Sequence, residues 1–269
     1  QLCPRGLKSG STFSMSLPVP QWRPARSGMF ELVPKRRRGV LDRMGIAGRE
    51  ALAFARQAWL MRHDVVRPAF PQQVGPEDDV VVCLHGIFAT AGVLRPLRER
   101  LDRHDHLHTA SLTYPAGPGV QVLGRRLKEF VSELPPRSRV HLVGHSLGGV
   151  VARWFAQEIG DERVVQTISL ASPFAGVRAT SWLGVQVAKD LTPHSPLLRK
   201  LTLGSHRKMA LPHLSLVAEN DVIVPAPLSQ ALPGGEVTLI RNCGHNTMLF
   251  HDEVAAHVEK RVLAFAGRP

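Results

Sequence analysis

Two hydrophobic rhythms divide the chain. Between residues 40 and 62, polar pairs recur seven apart at Asp42-Arg43, Arg49-Glu50 and Arg56-Gln57. Leu41, Met44, Gly48, Leu52, Ala55 and Trp59 line another face at spacings of three and four. That periodicity predicts an amphipathic helix, which can dock on its own protein, on a partner or on a membrane surface. After a loop at 68–78 the rhythm changes. Short apolar runs at 80–84, 107–113, 139–143, 164–170, 213–218 and 237–240 alternate with helical stretches at 94–102, 121–133, 147–159 and 246–265. Continuous apolar strands separated by helices predict an α/β fold, with a mostly parallel sheet and helices on both faces. Residues 1–38 show neither rhythm and are rich in Ser, Pro, Gly and Arg. The expected organisation is an irregular basic segment at 1–39, an amphipathic helix and linker at 40–77, and one α/β domain at 78–269.

Composition narrows this picture by exclusion. With 269 residues, 43% hydrophobic and 21% charged, the chain is neither coiled coil, collagen nor wholly disordered. No charge-free apolar run approaches the roughly 18 residues that span a bilayer. The net charge of +12 is weighted toward the N-terminus, most sharply at Lys35-Arg36-Arg37-Arg38. Such a run is either a solvated tail or a contact for an anionic membrane surface. No zinc-finger or RNA-binding signature accompanies it, so no nucleic acid is expected. Cys3, Cys83 and Cys243 show no paired spacing, and the last two sit in apolar strand-like contexts. Buried free thiols fit best, favouring a reducing compartment, cytoplasmic or peripheral to a membrane. No apolar core like that of a signal sequence is visible in residues 1–28. His104, His106 and His108 would share one face of a strand, but no fourth ligand has matching spacing. They read as a polar strand entrance; no metal and no cofactor is expected.

The most informative segment is Val143-Gly144-His145-Ser146-Leu147-Gly148-Gly149, a Gly-x-Ser-x-Gly between an apolar strand and a helix. A serine on so sharp a strand-to-helix turn is pushed out of the sheet. Side chains two residues to either side would collide with neighbouring backbone, hence glycine at 144 and 148. The helix starting beneath the serine aims its N-terminal dipole, and the free N–H of Leu147, at the place where negative charge would develop.

This segment resembles the nucleophile elbow of α/β-hydrolase-fold lipases and esterases. The resemblance runs over about residues 78–265 and implies further features. Leu84-His85-Gly86-Ile87 is similar to the family's His-Gly turn, which implies Ile87 and Leu147 as oxyanion-hole donors and leaves His85 structural. Val217-Ala218-Glu219-Asn220-Asp221 resembles the acid loop, with Asp221 in the place of the triad carboxylate and Glu219 as the alternative. Asn242-Cys243-Gly244-His245 resembles the turn that carries the base, so His245 takes that role. The order Ser146, Asp221, His245 is the order the family uses. Its early antiparallel strands are not evident before residue 78.

Leu170-Ala171-Ser172-Pro173-Phe174-Ala175-Gly176 is similar to a turn of bacterial lipases. Residues 174–210 then resemble a cap or lid inserted after the sixth family strand. They carry Trp182, Leu183, Val187, Leu191, Leu197, Leu198, Leu201 and Leu203 with basic residues between. An apolar cap suits an ester with an acyl chain, whether as a lid or as the wall of a small-ester pocket. The expected function is a serine carboxylic-ester hydrolase, a lipase or esterase. Its substrate is a small-molecule ester or lipid, with a peripheral membrane contact through the basic N-terminus and cap as one option. An acyltransferase, thioesterase or amidase would use the same triad. A non-catalytic membrane- or protein-binding module of this fold would have no need of intact chemistry at every triad and oxyanion position.

Overall fold

In a computed structural model of the chain, the described residues are 40–65, 68–71, 74–178, 184–207 and 211–266. The basic segment at 1–39, and Trp182 and Leu183 of the expected cap, lie outside them. Six strands alternate with helices: β1 (Asp79–Leu84), β2 (Leu107–Ser111), β3 (Arg139–His145), β4 (Val164–Leu170), β5 (His213–Ala218) and β6 (Glu236–Ile240). All pair in parallel, in the order β2-β1-β3-β4-β5-β6. The register sets Leu84 against Gly144, His145 against Leu170 and Ala218 against Ile240. The C-terminal ends of β1, β3, β4, β5 and β6 therefore line one edge, the edge at which open α/β sheets place their sites.

Strand alternation explains the layers. On β1, Val80, Val82 and Leu84 join a core with α3 (Val120–Ser132) and α4 (Leu147–Trp154). Val81 and Cys83 face the opposite core with α2 (Arg95–Leu101) and α7 (Asp252–Phe265). Cys83 and Cys243 are buried free thiols, and burial pushes both up to about 12. The early antiparallel strands of the fold are reduced, among the described residues, to one bridge: Ala69 pairs antiparallel with Ser111 on the edge strand β2. The expected cap supplies α5 (Gln186–Asp190) and α6 (Pro196–Arg207). Val187, Leu191, Leu197, Leu198 and Leu201 are buried in the α3–α4 core, whereas Leu203 is exposed. Asp190 caps α3 by accepting the Val120 N–H at 2.8 Å.

Two expectations need correction. The first concerns α1 (Val40–Leu60), where the residues turned inward are Ile46, Glu50, Ala53, Gln57 and Leu60. The apolar stripe read from the sequence faces away: Met44, Leu52 and Trp59 are 66%, 72% and 56% exposed. Hydrogen bonds accepted by Glu50 from residues 246 and 247, not a greasy seam, fasten the middle of this helix. The second is the closing helix, which begins at Asp252 and not at 246. The six residues before it form a loop containing a single 3-10 turn at Thr247–Leu249.

Candidate active site

Ser146 sits between β3 and α4 with φ 52° and ψ −118°, a conformation that costs an L-residue energy and persists only where the surroundings enforce it. They do so by leaving no room. A Cβ on Gly144 would lie 2.2 Å from the Gly148 carbonyl carbon, and one on Gly148 would lie 2.2 Å from the Leu84 oxygen. The helix start is thus pressed onto the end of β1. As the first residue of α4, Leu147 has no carbonyl one turn earlier to accept its N–H.

The loop after β1 lies beside the elbow: a Cβ on Gly86 would be 3.2 Å from that of Ser146. His85 holds this loop from within. Its Nε2 accepts the Tyr114 N–H at 3.1 Å, so Nδ1 carries the proton and donates to the Gly86 carbonyl at 2.7 Å. The Tyr114 hydroxyl donates to the His85 carbonyl, and the two rings stack 4.0 Å apart. Burial pulls His85 down to about 4, so the ring is a neutral structural tie. Ile87, half-buried, follows directly.

His245 lies on the loop after β6. Its Nδ1 is 2.7 Å from Asp221 Oδ2 on the loop after β5. The other carboxylate oxygen of Asp221 accepts the N–H groups of Ile223 and Val224, both at 2.8 Å. Burial pushes the Asp221 carboxyl up, but the His245 bond and these two N–H groups outweigh it and hold it below its ordinary value. An ionised acceptor fixes the proton on His245 Nδ1 and leaves Nε2 with its lone pair. Glu219, the other acid of that loop, instead accepts the Asn242 N–H at 2.9 Å.

Three contributors to the site have no motif of their own. His145 donates from Nε2 to the His245 carbonyl at 3.0 Å, tying the elbow to the loop after β6. Burial, with His245 alongside, brings it down to about 3, so it too stays neutral. It stands in the variable position of the elbow motif, which gave no reason to single it out. Tyr114 is the only tyrosine in the chain, a clue of composition alone. Glu50, from α1, bonds the backbone just after His245.

Other chemistry is dispersed. His104 meets Glu259 at 3.0 Å, while His108 meets Asp78 at 2.8 Å. Among the described residues no three His, Cys, Asp or Glu side chains converge as a metal site. Cavities of about 530 and 180 Å³ open at the other edge of the sheet, where β3 to β6 begin. That is a whole strand length, roughly 20 Å, from Ser146.

Residues 76–221, slightly over half of the chain, match the family described as "Putative serine esterase (DUF676)". The chain belongs to this family. The matched stretch includes Ile87, Ser146 and Asp221 and ends before His245. Solved structures similar to this serine esterase family member include the mature lipase BlEst2 of Bacillus licheniformis. It is 11% identical over 73% of this chain and 97% of the lipase, with a TM-score of 0.56. Est1E from Butyrivibrio proteoclasticus is 16% identical over 73% and 92%, with a TM-score of 0.52. A bromoperoxidase from Bacillus anthracis is 12% identical over 70% and 92%, with a TM-score of 0.55. At such identities the likeness shows the fold, which is that of the α/β-hydrolases. No curated protein matches the sequence.

Proposed function

We propose that this serine esterase family member is a carboxylic-ester hydrolase with Ser146 as nucleophile, His245 as base and Asp221 as its orienting acid. The observation that carries this reading is the 2.7 Å bond between His245 Nδ1 and Asp221, made on a loop that the elbow itself holds through His145. His245 Nε2 takes the proton of Ser146 as Oγ attacks the acyl carbon, and Asp221 stabilises the imidazolium that results. The N–H groups of Ile87 and Leu147 receive the oxyanion, each contributing roughly 3 kcal/mol of barrier lowering. His245 then gives its proton to the departing alcohol. Water, deprotonated by His245, attacks the acyl-enzyme, and the acid is released as Ser146 Oγ takes that proton back from His245. The substrate class is an ester with an acyl chain.

A p-nitrophenyl ester series from acetate to palmitate tests this. Turnover that disappears in Ser146→Ala is expected, and the optimum chain length separates an esterase from a lipase. No turnover on any ester would overturn simple hydrolysis in favour of specialised acyl transfer.

A membrane contact is favoured by a separate observation. The outward stripe of α1 is apolar, and the Arg62 guanidinium lies 3.9 Å over the Trp59 ring at its end. An apolar face with a cationic fringe fits an anionic bilayer surface. The intact chain should float with phosphatidylglycerol vesicles and not with phosphatidylcholine ones. Leu52→Glu with Trp59→Glu should abolish that flotation, and undiminished flotation would exclude this face.

A further inference from the structure

A carboxylate that arrives from far away in sequence is fastened to the backbone of the base loop. Glu50 Oε1 accepts the Asn246 N–H at 2.6 Å. Its Oε2 accepts the Thr247 N–H at 3.1 Å and the Thr247 hydroxyl at 2.6 Å. A Cβ on residue 244 would stand 2.3 Å from Glu50 Oε2, so glycine there is what admits the carboxylate. Charge-assisted bonds of this length are about twice as strong as neutral ones.

Three partners thus hold His245 at three points. Asp221 accepts a hydrogen bond from its ring, His145 donates to its carbonyl, and Glu50 accepts from the next two N–H groups. The same helix also braces the loop that carries Ile87. Thr90 Oγ1, two residues after Phe88 in that loop, is 3.0 Å from the carbonyls of both Met61 and His63, just past the end of α1.

We infer that Glu50 is a positioning residue for the reaction: it holds the loop after His245 so that Nε2 points at Ser146, and α1 is thereby part of the working enzyme. This rests on the proposed role of His245 as base. Proton transfer is sensitive to placement, and displacement of a catalytic group by about 1 Å can cost on the order of 100-fold. Loss of Glu50 leaves the Asn246 and Thr247 donors without their acceptor and the loop free to shift.

The experiment compares Glu50→Ala, Glu50→Gln and Thr247→Val in the intact chain. It measures kcat and KM on p-nitrophenyl butyrate, active sites titrated with a phosphonate ester, and amide exchange over residues 243–250. In Glu50→Ala, kcat per titrated site should fall about 10- to 100-fold, with KM changing less than about twofold. Glu50→Gln, which keeps one acceptor oxygen, should recover part of kcat. Exchange should quicken at 246–247 and stay unchanged in α4. Thr247→Val, which removes a single bond, should lower kcat a few-fold and decides the matter if Glu50→Ala does not fold. Wild-type kcat in a folded Glu50→Ala overturns the inference, as does a loss explained wholly by fewer titrated sites. Should the wild type cleave no ester, the hydrolase reading falls by itself; unchanged exchange at 246–247 would still refute the clamp.

Discussion

Around Ser146, backbone presses on backbone; around His245, backbone hangs from side chains. The elbow owes its shape to contacts that leave no space for a Cβ at 144 or 148. Beyond its own six residues, 144–149, the elbow is pressed by the Leu84 and His85 carbonyls and, at Gly149, by Ser169 and Ser172. The His245 loop meets a side chain where the elbow, at 144 and 148, meets backbone: a Cβ at 244 would lie 2.3 Å from Glu50 Oε2. It is held by Asp221, His145 and Glu50, which come from three other segments and act through hydrogen bonds. A nucleophile must sit on a rigid, strained turn, and sterics provide rigidity most cheaply in sequence length. A base must keep one ring nitrogen within reach of serine, leaving group and water in turn, and a loop tethered at discrete points holds it there.

The comparison can be broken by substitutions that separate fold from activity. The largest effect is expected at the tether. Asp221→Asn should lower kcat by about 10,000-fold, because the amide stabilises the wrong tautomer of His245. Its melting temperature should fall only modestly, and circular dichroism with ester kinetics reads both. The reverse holds at the elbow. Gly148→Ala drives a methyl into the Leu84 carbonyl, so stability should drop by about 3 kcal/mol or more, seen as a lower denaturant midpoint or as no folded protein. A folded, stable Gly148→Ala would contradict the steric account.

A smaller effect sharpens the contrast from outside the site. Arg163, through its side chain and its own N–H, holds Asp161 at about 2, below the ordinary 3.8. A folded value below the unfolded one means that the stability this pair adds is present at neutral pH. It is lost as the pH falls through the folded value. Asp161→Asn should therefore lower the melting temperature by a few degrees at neutral pH, and the difference should shrink as the pH approaches 2. Ester kcat should not change. A matching loss of kcat would show that the two ends of the sheet are coupled.

The same contrast explains what could be read in the sequence. The elbow was legible because steric demands within a few residues write themselves as glycines at fixed spacing. Strand β1 was legible because a strand buried on both faces is apolar throughout, as Val80–Leu84 is. Two parts of the base loop were not. Its 3-10 turn lies inside a stretch with helical periodicity, and nothing local marks that Asn246 and Thr247 bond a carboxylate 196 and 197 positions away. Equally, α1 docks through Glu50, the half-buried Ile46 and Gln57, and the buried Ala53 and Leu60. A reading by hydrophobic periodicity therefore picks out Met44, Leu52 and Trp59, the face that stays exposed. His145 and Tyr114 act by hydrogen bonding to backbone, which leaves no spacing to detect.

The most direct test of the central claim is covalent capture of the nucleophile. The intact chain is treated with a fluorophosphonate, digested, and mapped by mass spectrometry while ester turnover is followed. A single adduct on Ser146 that forms in step with the loss of turnover, and is absent from Ser146→Ala, is the predicted result. Turnover that survives full modification of Ser146, or an adduct on another residue that alone tracks the loss, would contradict it.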